Sequence, residues 1–176
     1  MNEIVKKNGV TYGVITGVVM VLLTTLIYTI DLNFYSSMWL GLSILLFYLT
    51  IGIVLLSKTK KELKGIFSFK EAFTTYFIAA VIGIIISVGF NIILYNFIDS
   101  GAKETIKEIT IKSTAEMMEK FGAPAESINE AIKKLQENDQ FSTTELLKGS
   151  IFNILFSSVL GLILALIFKT KTTQKD

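Results

Sequence analysis

The chain has 176 residues, 51% of them hydrophobic, with 17 basic and 15 acidic side chains and a net charge of +2. Cys and His are both absent, which excludes disulfides, thiolate chemistry and imidazole proton transfer, and with them the common Zn, Cu and haem ligand sets. Every basic residue is Lys, so the bidentate guanidinium fork that grips phosphate is missing, and neither a nucleic-acid partner, a metal nor a cofactor is expected.

Four blocks without a charge, residues 10–30, 38–56, 72–98 and 149–168, organise the rest. Each has at least the roughly 17–20 residues that a helix rising 1.5 Å per residue needs to cross about 30 Å of hydrocarbon. The fold class they predict is all-α: an integral membrane four-helix bundle forming a single membrane domain over residues 1–176, with an extramembrane helical hairpin between the third and fourth spans. Membrane lipid is therefore a partner of the chain.

The first block follows Lys6 and Lys7 as a signal peptide would, but its apolar run is longer than the usual 7–15 residues and ends in Tyr28-Thr29-Ile30-Asp31, with no small-x-small cleavage site. It is read as a retained helix. Gly9, Gly13 and Gly17 form two overlapping GxxxG units on one face, the pattern that lets membrane helices approach closely. The turn at residues 31–37 has no Lys, and Phe34, Tyr35 and Trp39 there fit an interfacial aromatic belt.

After the second span come Lys58, Lys60, Lys61, Lys64 and Lys70, with Phe67, Phe69, Phe73 and Tyr76 as a second belt. Ser68-Phe69-Lys70-Glu71 has the S-x-x-E form of a capping box, which launches the third span and explains Ser68, Lys70 and Glu71 without catalysis. Within that span Ala79, Gly83, Ser87, Asn91 and Tyr95 recur every four residues.

Residues 99–148 carry 7 Lys and 10 acidic residues. Ile106, Ile109, Met117 and Phe121 share one helical face, Glu108, Lys112, Glu116 and Lys120 line another, and Gly122-Ala123-Pro124 ends that helix and starts a second with Ile128, Ala131, Ile132 and Leu135 in a stripe. The product is a helical hairpin, part of the membrane domain rather than an independent one. A second box, Ser142-Thr143-Thr144-Glu145, opens the fourth span, in which Gly149, Asn153, Ser157, Gly161 and Ala165 again recur every four residues.

Antiparallel pairing of the two stripes sets Tyr95 near Asn153, Asn91 near Ser157, Ser87 near Gly161 and Gly83 near Ala165. Two readings stay open: a packing seam whose polar atoms satisfy one another, or a polar groove in which Ser87, Asn91, Tyr95, Asn153 and Ser157 hold a head group or small solute. Ten Lys lie at the N-terminus, in the 58–70 loop and at positions 169, 171 and 175, which predicts cytoplasmic termini and an outer 99–148 segment.

The run Gly65-Ile66-Phe67-Ser68-Phe69-Lys70-Glu71-Ala72-Phe73, the ending Leu94-Tyr95-Asn96-Phe97-Ile98-Asp99 and the helical insertion before the last span resemble the membrane family of domain of unknown function 4199, typical of Bacteroidetes-type bacteria. Ser100 departs from the Pro that often follows the Asp in that family. The resemblance covers nearly the whole chain and implies four transmembrane helices and a bacterial inner-membrane address; it carries no catalytic residues.

No phosphate loop, metal motif or paired carboxylates stand out, so the chain is not expected to be an enzyme. The favoured role is an accessory or scaffold component that meets a protein partner, or forms a homo-oligomer, through the hairpin and the GxxxG face. The alternative is a small lipid- or solute-binding carrier with a polar groove between the third and fourth spans.

Overall fold

A computed structural model describes residues 1–170. Lys171 and Lys175 of the basic tail lie outside the described residues. Helix α1 (Glu3–Ile30) leads through a short 3-10 turn (Leu32–Ser36) into α2 (Met38–Glu62), and α3 (Phe69–Ile93) continues into a π-turn (Leu94–Ile98). The hairpin is α4 (Ser100–Lys120) and α5 (Ala125–Glu137), and α6 (Thr143–Phe168) closes the chain. The architecture is all-α, and α1, α2, α3 with its π-turn, and α6 are long and apolar enough to cross a membrane. Only 17–28% of each apolar stretch is buried within the molecule, so most of its surface meets lipid.

The helices run past the uncharged blocks into charged flanks, since only a stop signal ends a helix. For α2 that signal is Gly65, whose φ of +85° is open to glycine at no steric cost and whose N–H returns to the Lys60 carbonyl at 2.9 Å. The Ser68 capping box forms in full: Ser68 Oγ accepts from the Glu71 N–H at 3.2 Å, and Glu71 Oε2 accepts from the Ser68 N–H at 3.0 Å. Only half of the second box forms. Ser142 Oγ accepts from the Glu145 N–H at 3.3 Å, while the Glu145 carboxylate turns to Lys148 Nζ at 2.6 Å.

The tightest contact is between α1 and α3, which lie parallel. A Cβ placed on Gly9, Gly13 or Gly17 would sit 2.9, 2.8 or 2.7 Å from the Cβ of Ile78, Ile82 or Ile86 in turn, so each glycine is a notch for one isoleucine. Gly83 serves the same interface from the other side, facing Thr16, and not Ala165. Gly161 packs against the Tyr76 ring, and not Ser87. The stripe pairing expected across α3 and α6 is therefore replaced by a different register. The reason is helical phase: a four-residue step overshoots a 3.6-residue turn by about 40°, so a stripe of five such positions winds around the helix and cannot face one neighbour along its length.

At the end bearing the N-terminus and Thr170, Leu56, Phe67, Ala72, Tyr76, Ala80, Leu164 and Ala165 form a core cluster, so Phe67 and Tyr76 are interior side chains, not belt residues. Trp39 and Phe34 remain exposed. Asn8, buried, donates to Glu62 Oε2 at 2.8 Å and to Thr59 Oγ1 at 3.2 Å, tying α1 to α2. Thr170 ties the end of α6 to the loop before α3: its N–H donates to the Phe67 carbonyl at 2.7 Å and its Oγ1 accepts from the Phe67 N–H at 2.9 Å.

At the opposite end Leu94, Tyr95, Ala102 and Ile106 form a second cluster with Phe141 and Tyr35 against it. The base of the hairpin belongs to this cluster, while its tip does not: Ile106 is 1% exposed and Phe121, expected on the same apolar face, is 82% exposed. Asp99 caps α4 through Oδ1 to the Gly101 and Ala102 N–H groups at 3.0 and 3.1 Å, and Tyr28 of α1 donates to its Oδ2 at 2.8 Å. The Tyr28 hydrogen bond, then the Ala102 N–H, holds the Asp99 carboxyl below its ordinary pKa. Lys103, at 2.8 Å, does the same for Asp139 and clamps the foot of α4 to the segment after α5.

Candidate binding cleft

Helix α2 buries Gly52, Leu55, Leu56 and Thr59, all in its half nearest the N-terminus of the chain. Its other half leaves room against α3 and α6. Gly41 of α2 and Gly149 of α6 have no packing partner within 4 Å where a Cβ would point, so here glycine opens space instead of closing it. The result is a cavity of about 470 Å³ between the hairpin-side halves of α2, α3 and α6, with Met20 of α1 also reaching its lining. A neighbouring lobe of about 330 Å³ shares Met20, Gly41, Ile44, Ser87 and Asn91 with it and extends to Thr24, Tyr35 and Phe141. These volumes fall in the range of small-molecule pockets.

Most of the lining is apolar, from Ile44, Leu45, Ile84, Val88, Phe156 and Leu160, with Tyr48 contributed by α2. Four of the five polar residues singled out in the sequence line it: Ser87 and Asn91 from α3, Asn153 and Ser157 from α6. The fifth does not. Tyr95 is fully buried beyond the cavity, where its hydroxyl meets that of Tyr35 at 2.6 Å and its ring lies 4.7 Å from the Phe141 ring. Tyr95 is thus satisfied by Tyr35, without Asn153.

Asn91 Oδ1 is buried and has no hydrogen-bond partner among the described residues. An acceptor in that state costs on the order of 1–3 kcal/mol relative to one that is bonded, and in a membrane span no bulk water is at hand to make up the loss. The Asn91 residue lines the same cavity as Ser87, Asn153 and Ser157, while its Oδ1 is closed off from the open space. Glu145 stands at the edge of the same cavity with Gln140, and its carboxylate is held by Lys148.

Sequence reasoning missed Met20, Gly41 and Tyr48 as lining residues. No local signal marks them, because a glycine in a span has the same appearance whether a neighbour fills its notch or leaves it open. Among the described residues no three acidic side chains come together in a way that would hold a metal ion.

The chain has no significant match among curated proteins or among solved structures. A family model described as protein of unknown function (DUF4199) matches residues 11–170, from the first turns of α1 to the end of the described chain. With the match running through all four spans and the hairpin, the chain belongs to the DUF4199 family, and it is a membrane protein built on four apolar helices.

Proposed function

We propose that this protein is a non-catalytic bacterial inner-membrane protein that binds one lipid-like molecule in the cleft between α2, α3 and α6, its termini cytoplasmic and its hairpin outside. The observation that carries this reading is a cavity of about 470 Å³ in which Ser87, Asn91, Asn153 and Ser157 meet a largely apolar wall, with Tyr48 on α2 and Gln140 and Glu145 at the edge. Such a lining suits an acyl chain along Leu45, Phe156 and Leu160 with a polar head at Asn91. Asn91 is 7 residues from the end of the π-turn, about 10 Å along the axis, a depth that suits a head in the half of the bilayer nearest the hairpin.

Native mass spectrometry of the full chain released from mild detergent tests it. The expected result is a stoichiometric lipid-like adduct on the parent, lost in Asn91→Leu and Ser157→Leu at unchanged melting temperature. Equal adduct on parent and both variants would overturn it.

The accessory role keeps one observation in its favour. Phe121 and Met117 at the hairpin tip are exposed beside a groove of about 570 Å³ against the 36–38 turn, a surface fit for a second protein. Affinity capture of a stoichiometric partner by the parent, lost in Phe121→Glu, is the result that reading requires.

A further inference from the structure

Resting on the cleft as a lipid site, we infer that its occupant is an apolar chain bearing an uncharged hydrogen-bonding head, an alcohol, ester or amide, and that phosphorylated heads are rejected. The polar side chains that line the cavity are three amides, Asn91, Asn153 and Gln140, three hydroxyls, Ser87, Ser157 and Tyr48, and the Glu145 carboxylate at its edge. The amides and hydroxyls are neutral and each both donates and accepts, which matches a neutral head of the same kind.

No lysine lines either lobe, and the chain has no arginine to supply a guanidinium. The cations nearest in sequence are already engaged: Lys148 by Glu145 at 2.6 Å, and Lys103 by Asp139 at 2.8 Å. The one carboxylate at the cavity edge, Glu145, adds negative charge and not positive. A phosphate drawn to the depth of Asn91 would give up its water with no cation in reach, a loss that amides and hydroxyls do not offset. An alcohol or amide gives up far less and exchanges hydrogen bonds with the amides and hydroxyls of the lining.

The test uses two photoactivatable probes with the same diazirine-bearing acyl chain, a monoacylglycerol and its phosphate monoester. Each is added to the full chain in phosphatidylcholine vesicles, and labelled peptides are mapped. The expected result is at least tenfold more labelling of α3 and α6 peptides around Asn91 and Ser157 by the monoacylglycerol, with the preference reduced at least fivefold in Asn91→Leu. In Ser157→Lys, which puts a cation into the cavity, the phosphate probe gains.

Equal or stronger labelling of the same peptides by the phosphate probe in the parent overturns the assignment of the head and leaves the cleft as a lipid site. Labelling by neither probe at these peptides, with labelling confined to the outer faces of the helices, overturns the cleft reading itself. Melting temperatures of the variants within a few degrees of the parent separate loss of binding from loss of fold.

Discussion

Gly52 of α2 and Gly161 of α6 face opposite edges of a single ring, that of Tyr76: a Cβ on Gly52 would lie 2.7 Å from Cε2 and one on Gly161 would lie 2.7 Å from Cδ1. Both distances are shorter than any tolerated contact, so the three helices meet there only because two side chains are absent. Gly52→Ala and Gly161→Ala should each destabilise the bundle by about 1–3 kcal/mol, the usual cost of overpacking. Gly41→Ala and Gly149→Ala, where nothing stands in the way, should be neutral or gain about 0.5–1 kcal/mol from better helix propensity. Unfolding in detergent, followed by circular dichroism, measures the contrast; equal losses at all four sites would contradict the packing described.

The parallel contact of α1 with α3 makes a cross-linking prediction. A Cβ on Gly83 falls 3.3 Å from the Thr16 Cβ, close to disulfide geometry. Thr16→Cys with Gly83→Cys should therefore cross-link under mild oxidation, whereas Ser87→Cys with Gly161→Cys should not. The reverse outcome would restore the stripe pairing of α3 with α6.

Acid should loosen the hairpin base. Asp99 and Asp139 have pKa values lowered by folding from an ordinary 3.8, so their contribution to stability is present above that value and is lost as the pH falls through the lower, folded one. Cleavage of the α4–α5 hairpin by pepsin should rise steeply below pH 3.8. In Tyr28→Phe, which removes the hydroxyl bonded to Asp99, the rise should move up towards 3.8. An unmoved profile would show that the Tyr28 contact does not govern this end.

Topology is open to single-cysteine labelling with a membrane-impermeant reagent. Ile66→Cys, exposed on the Lys-rich loop, should be shielded in intact spheroplasts, and Ser36→Cys and Asn129→Cys should react. Labelling of Ile66→Cys with protection of Asn129→Cys would turn the protein over in the membrane.

The spans, the hairpin and the Ser68 cap were legible because each rests on a local signal: run length, apolar period, or a side chain three residues from its amide. The interior was less so. Ser87, Asn91, Asn153 and Ser157 were found as a polar set, yet the partner of each glycine was not, since Gly83 and Gly161 carry no mark of whether α1, α3 or an open cavity faces them. Tyr95 was misplaced because its partner Tyr35 is distant in sequence, and the π-turn Leu94–Ile98 adds to the phase drift in its own segment. The buried base of the hairpin was hidden for a related reason: Ile106 and Phe121 share a face by periodicity, and only contact with Tyr95 and Phe141 distinguishes the two ends of that face.

The glycine notches of α1 are cut for isoleucines of α3, not for anything on α2, the helix that follows it in the chain. A ribosome delivering this protein therefore places α1 in the bilayer with its proper mate still unmade, and α2 can occupy that face only provisionally. When α3 emerges it must enter beside α1 and displace whatever lipid or helix has settled there. In the finished bundle α2 is held to α1 at Asn8, by Thr59 and Glu62, and leaves the glycine notches to α3.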